Sequence, residues 1–156
     1  MVHTFELSRM IDENTFEALL HSLKNRRFNR VAWTTTAYAD KGISMVCLRK
    51  FKPRRKNNNG QWITLETEPY MYMVILSINT GLMFGNDGYR ATNATAFTSV
   101  FIRAIYDRIL ELIPELEWNA ELKVRGYEEY QNTGKMPVIL QQYYDANTFM
   151  LRRIDY

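Results

Sequence analysis

Hydrophobic and polar positions in the first third of the chain follow strand and helix patterns in turn. Residues 4–9 mix apolar and polar side chains over a short span, which predicts a first strand. A helix follows, with Asn14 as its cap and Glu17 completing a capping box. Its narrow apolar face has residues at helical spacing: Phe16, Leu19, Leu20 and Leu23. Residues 31–38 and 43–51 are rich in β-branched and aromatic side chains around an Asp-Lys-Gly turn, so they predict a hairpin.

The second half of the chain contains the longest apolar runs. Residues 70–78 are almost continuously apolar, which predicts a strand in the middle of a sheet. Residues 79–81 predict a turn, and residues 95–113 carry apolar side chains at helical spacing. Residues 115–147 combine acids and tyrosines with scattered glycine and proline, so we expect an irregular insertion there. Residues 148–156 predict a final strand.

The order of these elements predicts the fold class. Strand, helix, two or three strands, long helix and strand fit an α+β fold, with a mainly antiparallel sheet and two helices on one of its faces. This is the split βαβ arrangement of ferredoxin-like and RRM-like domains. The length of 156 residues and the 46% hydrophobic content predict a single domain over residues 1–156.

Composition also indicates where the protein works. The single cysteine, Cys47, excludes an intramolecular disulfide and favours a reducing compartment, so we expect the cytoplasm. The amino terminus has polar residues where a signal peptide would need an apolar stretch, and no apolar run is long enough to span a membrane. We therefore expect no membrane partner.

Positive charge is concentrated in one short segment. Six of the eight residues 49–56 are basic and none is acidic; the six are Arg49, Lys50, Lys52, Arg54, Arg55 and Lys56. The whole chain has a net charge of +3, so the rest of it has a net charge of about −3. Three asparagines and a glycine follow the segment, which predicts a positively charged hairpin tip, and residues 62–65 predict a further strand.

This segment has two interpretations. The first is contact with a nucleic-acid backbone, with Trp62 as a stacking surface. The second is a solvated loop that protects a sheet edge from aggregation. A second basic group, Lys24, Arg26, Arg27 and Arg30, follows the first helix. If the sheet brings the two groups to one edge, nucleic-acid binding is favoured.

Catalytic motifs are missing from the sequence. The chain has two histidines, His3 and His21, without a second metal-ligating residue at suitable spacing, and no glycine-rich phosphate loop. The tyrosine pairs Tyr127/Tyr130 and Tyr143/Tyr144 would need a bound cation to attack a phosphate, so packing or interface contact is the better interpretation. We therefore expect neither a cofactor nor a metal, and we do not predict an enzyme.

Three segments resemble a known family. They are residues 73–85, an apolar strand that runs into Ile78-Asn79; residues 105–109, in the long helix; and residues 149–156, which contain Arg153-Ile154-Asp155. They resemble the amino-terminal part of rolling-circle replication initiation proteins of phages, plasmids and integrated mobile elements. The resemblance implies a mobile-element origin and a DNA-facing sheet. The family's metal-binding pair of histidines is absent here, so its DNA-nicking activity is not carried over.

Two functions remain open for this sequence. The first is a non-catalytic DNA-binding domain from a mobile element, related to or truncated from a replication initiator, that binds single- or double-stranded DNA. The alternative is a small inhibitor that binds a host defence protein, such as a CRISPR nuclease, through the acids and tyrosines of residues 115–145.

Overall fold

The computed structural model describes residues 4–85, 99–116, 124–125 and 149–155 of the chain. The strands are β1 (Thr4–Ile11), β2 (Arg27–Asn29), β3 (Ala32–Thr35), β4 (Ile43–Phe51), β5 (Arg54–Lys56), β6 (Trp62–Thr64), β7 (Met71–Asn79), β8 (Val124–Arg125) and β9 (Phe149–Asp155). The α-helices are α1 (Glu13–Ser22), α2 (Thr80–Phe84) and α3 (Ser99–Leu112). Short 3₁₀ turns cover Ala39–Lys41 and Pro114–Leu116.

Seven of the strands form one sheet in the order β2-β3-β4-β7-β1-β9-β8. Its neighbours pair antiparallel except β8 and β9, which pair parallel. The α+β class and the mainly antiparallel sheet are therefore confirmed. The apolar strand β7 lies between β4 and β1, as its nearly continuous apolar sequence predicts.

The core lies on one face of this sheet. Phe16 and Leu19 of α1 and Ile105 and Ile109 of α3 belong to the same buried cluster. Alternate residues of the central strands complete it: Phe5, Leu7, Ile11, Val46, Leu48, Val74, Leu76 and Ile78. The two helices therefore pack against the same face of the sheet, as predicted.

The opposite face is buried at its centre as well. Met10, Met73 and Ile75 form a second buried cluster, and Ser8 is fully buried in β1. These side chains are inaccessible to a large ligand. The DNA-facing sheet that the family resemblance implies is therefore closed at these central positions, whereas Thr34 of β3 and Arg49 of β4 are partly exposed on the same face.

A buried cation fixes the chain after α3. Arg9 is only 5% exposed, and its guanidinium donates a hydrogen bond of 2.7 Å to the carbonyl oxygen of Leu116. Burial lowers the pKa of Arg9 to about 10, although Tyr106 and Asp12 oppose this shift. This contact connects β1 to the turn that follows α3.

Helix α1 begins two residues earlier than the sequence pattern suggests. Asp12 is its cap, because the carboxylate Oδ1 accepts a 2.7 Å hydrogen bond from the backbone N–H of Thr15. The prediction that Asn14 caps the helix is therefore wrong: Asn14 lies inside the first turn. Asp12 and Asn14 are both good cap residues, and β1 extends to Ile11, which leaves Asp12 at the boundary.

Two further segments differ from the sequence prediction. Residues 79–81 do not form a simple turn, because the Asn79 side chain caps the five-residue helix α2 by accepting a 3.0 Å hydrogen bond from the Leu82 N–H. Strand β2 lies in a polar segment without strand-like alternation. All its residues are exposed at the sheet edge, so burial leaves no periodic signal in the sequence.

The cap gives a pH-dependent prediction. We expect Asp12→Ala to lower the free energy of unfolding by about 1 kcal/mol at pH 7. The hydrogen bonds from the Thr15 N–H and hydroxyl hold the pKa of Asp12 below its ordinary value of 3.8. The stabilisation is therefore complete above the ordinary pKa and is lost as the pH falls through the lower folded pKa. Urea denaturation at neutral pH and at about pH 2.5 measures this change.

Asp12→Asn is the control, because asparagine caps helices about as well as aspartate and does not titrate. A loss at pH 7 as large as that of Asp12→Ala would contradict a hydrogen-bonded cap.

Gly42 gives a second stability prediction. Its φ is +103°, and an added Cβ would collide with Met83, whose Cα would lie 2.6 Å away. Its carbonyl also accepts a 2.8 Å hydrogen bond from the Asn79 N–H, so the backbone has little freedom to move. We expect Gly42→Ala to cost about 3 kcal/mol or more of unfolding free energy, measured by chemical denaturation.

Gly60→Ala separates the collision from the backbone strain. Gly60 has a similar φ of +77°, but an added Cβ would meet nothing within 4 Å. This variant should lose only about 1–2 kcal/mol. Equal losses for the two alanine variants would show that the close approach of Gly42 to Met83 is unimportant.

Candidate nucleic-acid interface

The first residues of the basic segment 49–56 belong to strand β4 of the main sheet, and the segment leaves that sheet after Phe51. The ladder between β4 and β7 ends where Phe51 lies opposite Met71. The next strand, β5, pairs with β6 in a separate two-stranded sheet, with Arg54 opposite Thr64 and Lys56 opposite Trp62. We call this hairpin, residues 54–64, the basic ribbon.

The turn of the basic ribbon is neutral. Asn57 accepts hydrogen bonds at its Oδ1 from the N–H groups of Asn59 (3.0 Å) and Gln61 (2.9 Å). Gly60 provides the positive φ that this tight turn requires. The asparagines therefore shape the turn, and the charge lies on strand β5 instead of on the hairpin tip that the sequence predicts.

The two faces of the basic ribbon carry different side chains. Arg54 and Lys56 share one face with Trp62 and Thr64, whereas Arg55 shares the other with Ile63. All six strand residues are exposed, and Trp62 is 58% exposed. The Lys56 Nζ lies 5.5 Å from the centroid of the Trp62 ring, which is a cation–π contact. One face thus combines two cations with an accessible indole.

Two lysines and a tyrosine fix the base of the basic ribbon. The Nζ atoms of Lys50 and Lys52 lie 4.4 Å and 4.2 Å from the centroid of the Tyr70 ring. Lys52 also donates a 2.6 Å hydrogen bond to the Glu68 carbonyl oxygen. Lys52 is therefore engaged within the protein, whereas Lys50 is exposed. Sequence reasoning missed Tyr70, which the antiparallel pairing of β4 and β7 brings beside these lysines.

Arg49 lies on the face of the sheet that faces away from the helices. Its side chain is half-buried, and its Cζ lies 5.7 Å from the centroid of the Phe51 ring. The register has Arg49 between Ala32 of β3 and Met73 of β7. Arg49 therefore belongs to the accessible part of this face, next to the base of the basic ribbon.

The sheet brings part of the second basic group to the same place. Asn29 pairs with Ala32, and Ala32 pairs with Arg49, so the tip of the β2–β3 hairpin, where Arg30 lies, is beside the end of β4. Arg27 is exposed on β2, opposite Thr34. Arg26 and Lys24 precede β2 and lie toward the other end of this hairpin. Arg30 and Arg49 are thus neighbours of the basic ribbon, whereas Arg26 and Lys24 are more distant.

Within the described part of the chain, these cations have no ion-pair partner. Within the described residues, no carboxylate lies within 4.0 Å of any cation of the basic segment or of the second basic group, whereas Arg108 and Glu111 form an ion pair on α3. Glu66 and Glu68, on the return from β6 to β7, are exposed. No described carboxylate therefore competes with an external anion for these cations.

The described part of the chain offers no cluster of metal-ligating side chains. It contains no group of three or more histidine, cysteine, aspartate or glutamate side chains that could hold a metal ion. Cys47 forms no disulfide within the described residues and packs against the buried methionines opposite the helices. The pairs Tyr127/Tyr130 and Tyr143/Tyr144, and nearly all of the predicted insertion 115–147, lie outside the described residues. Among the described helices, none is long and apolar enough to cross a membrane.

Comparison with known proteins gives no relative from which a ligand could be transferred. No family model, no curated protein and no solved structure matches this chain. What the basic ribbon and the cations beside it bind must therefore be inferred from their own geometry and charge.

Proposed function

We propose that this chain is a non-catalytic DNA-binding domain whose main contact is the basic ribbon. One observation carries the proposal: the exposed strand β5 carries Arg54, Arg55 and Lys56, and no carboxylate of the described residues lies within ion-pair distance of them. Exposed cations on a projecting element bind phosphates without reading sequence, because they displace the counterions of the backbone.

The face with Trp62 suits unpaired bases in particular. Proteins that bind single-stranded nucleic acid combine a basic track for the backbone with aromatic side chains on which bases stack. On this face of the basic ribbon, Arg54 and Lys56 are the backbone contacts and Trp62 is the stacking surface. Arg55, on the other face, is free to contact a second strand or a neighbouring segment of the same strand.

The positive surface continues beyond the basic ribbon. Lys50 is exposed at its base, Arg49 is half-buried beside it, and Arg30 is at the tip of the neighbouring hairpin. Because side chains alternate along β4, Lys50 lies on the helix side of the sheet and Arg49 on the other side, so a nucleic acid that continues from the basic ribbon meets one or the other according to the face that it follows. These residues therefore extend the contact and increase its dependence on salt.

The proposal also concerns the fold in finer detail. We infer the split βαβ arrangement of ferredoxin-like and RRM-like domains. The order β9-β1-β7-β4 supports it, because β7 separates β1 from β4 and β1 separates β7 from β9. Helix α1 lies in the connection from β1 to β4, and α3 lies in the connection from β7 to β9. Strands β2 and β3 then extend the sheet at one edge.

We further infer that the domain originates from a mobile element and derives from a replication initiator. The support is the resemblance in residues 73–85, 105–109 and 149–156, which cover most of β7 with α2, part of α3 and all of β9. A cytoplasmic location belongs to the same proposal and is supported by the single cysteine of the sequence, which cannot form an intramolecular disulfide.

Removing two cations tests the basic ribbon. We expect Arg54→Gln/Lys56→Gln to weaken binding of a DNA oligonucleotide and to flatten its salt dependence. For each phosphate that the variant no longer neutralises, the slope should fall by up to ~0.9 log units per log unit of salt. Fluorescence anisotropy at several salt concentrations measures both changes.

Lys41→Gln/Arg108→Gln is the charge-matched control. Lys41 lies at the opposite end of β4, and Arg108 forms an exposed ion pair on α3 that contributes little to stability. Both double variants remove the same net charge. If they weaken binding equally, the effect is one of total charge, and the assignment to the basic ribbon is rejected.

The indole gives a separate prediction. We expect Trp62→Ala to weaken binding of single-stranded DNA by about 5- to 150-fold, the range that corresponds to the removal of one base–aromatic stack. Trp62→Phe keeps an aromatic face and should retain most of the affinity. Similar affinities for all three proteins would exclude stacking on Trp62, while the phosphate contacts of β5 would still be tested by Arg54→Gln/Lys56→Gln.

A further inference from the structure

A second positively charged feature is concave and lies at the open end of the β2–β3 hairpin. It is a pocket of about 560 Å³. Seven residues line it: Asn25, Arg26, Arg27, Thr34, Thr35, Thr36 and Ala37. The pocket therefore lies between the segment that leaves α1 and the segment that leaves β3, away from the tip where Arg30 lies.

Hydrogen bonds hold the two walls of this pocket together. Thr35 is buried, and its hydroxyl donates to the Lys24 carbonyl oxygen on one wall and accepts a 3.1 Å hydrogen bond from the Ala37 N–H on the other. The Tyr38 hydroxyl accepts a hydrogen bond from the Lys24 N–H at 3.4 Å. Asn25 turns the chain with a positive φ of 53°. The pocket is thus shaped by the fold before any ligand arrives.

The lining has the chemistry of an anion site. It contains two guanidinium groups and three threonines but no carboxylate. Arg27 lies directly opposite Thr34 in the β2–β3 pair. Within the described residues, Arg26 and Arg27 have no carboxylate within 4.0 Å, and the hydroxyls of Thr34 and Thr36 make no hydrogen bond. Guanidinium groups bind phosphate oxygens in a bidentate manner, and hydroxyls donate to the remaining oxygens.

A neighbouring pocket of about 400 Å³ shows that this chemistry is not general on the surface. Asp40, Glu111 and Glu115 line it together with Lys24 and Lys41. Its charges are mixed, so it offers no net attraction to an anion. In the larger pocket, by contrast, the charged lining residues are both arginines.

We propose that the pocket formed by Arg26, Arg27 and Thr34–Thr36 binds a phosphate group. Arg26 and Arg27 contact the phosphate oxygens, and Thr34 and Thr36 donate hydroxyl hydrogen bonds to them. The inference goes beyond the proposed function, because it concerns a separate site and does not require the basic ribbon to bind DNA. The phosphate belongs either to a nucleotide or to the end of a nucleic-acid strand.

The test is a titration of the full chain with inorganic phosphate, followed by the backbone amide signals of residues 25–37 in NMR spectra. In the wild type we expect saturable shifts confined to the pocket. Arg26→Gln/Arg27→Gln should weaken the affinity by roughly tenfold or more, since neither guanidinium remains to form a charge-assisted hydrogen bond. Thr34→Val, which preserves shape and charge, should weaken it by a smaller factor.

Arg30→Gln/Lys41→Gln is the matched control, because it removes two charges outside the pocket. This variant should keep the phosphate affinity, and so should Arg54→Gln/Lys56→Gln. Shifts that do not saturate, or an equal loss of affinity in Arg26→Gln/Arg27→Gln and in Arg30→Gln/Lys41→Gln, would overturn the site. Retention of phosphate affinity when Arg54→Gln/Lys56→Gln weakens DNA binding separates this inference from the proposed function.

Two further titrations distinguish the sources of the phosphate, with adenosine monophosphate and with an oligonucleotide carrying or lacking a 5′-phosphate. Stronger pocket shifts with the phosphorylated oligonucleotide support the end of a strand as the ligand. Stronger shifts with the mononucleotide support a free nucleotide. If neither phosphate ester shifts the pocket signals, the inference is rejected even where inorganic phosphate binds.

Discussion

The interruption of hydrogen bonding between β4 and β7 is the constraint on which the candidate interface depends. These strands pair from Ile43 opposite Ile78 to Phe51 opposite Met71. Two residues further in the same register, Pro53 would face Pro69, and neither has an N–H to donate. The main ladder therefore ends there. The chain beyond it pairs with itself, while the Pro53 carbonyl accepts a 2.9 Å hydrogen bond from the Leu65 N–H and closes the base of the basic ribbon.

Because the ladder ends there, the buried residues that stabilise the fold and the exposed cations lie in different parts of the same chain segment. Val46 and Leu48 of β4 are buried under the helices, where cations would be costly. From Arg54 to Lys56 the same chain is exposed, so arginine and lysine incur no burial cost there. The contacts of Lys50 and Lys52 with the Tyr70 ring lie at the boundary between these regions and give the base of the basic ribbon a defined position.

Sequence patterns predict most of the main elements, because an element that is buried on one side has its apolar residues at regular spacing. Strands β1, β4, β7 and β9 and helices α1 and α3 follow from such spacing, and the basic segment is evident from its charges. Strand β2 could not be predicted in this way, because it is exposed and its apolar residues have no regular spacing. The start of α1 was ambiguous because Asp12 and Asn14 are both suitable cap residues. The pocket at Thr35 could not be predicted either: its walls are joined by a hydrogen bond between residues 11 positions apart. Nor does the sequence reveal that Pro53 and Pro69 share a register, which decides that the basic ribbon is separate from the sheet.

The attachment of the basic ribbon has an evolutionary consequence. All six of its strand residues are exposed, and its two ends join the sheet next to Pro53 and Pro69. Substitutions in it are therefore under weak selection for folding, so its composition can diverge quickly among descendants of one ancestor. A scaffold of this kind acquires new ligand preferences by exchanging about a dozen residues, and its hydrophobic interior need not adapt to each exchange.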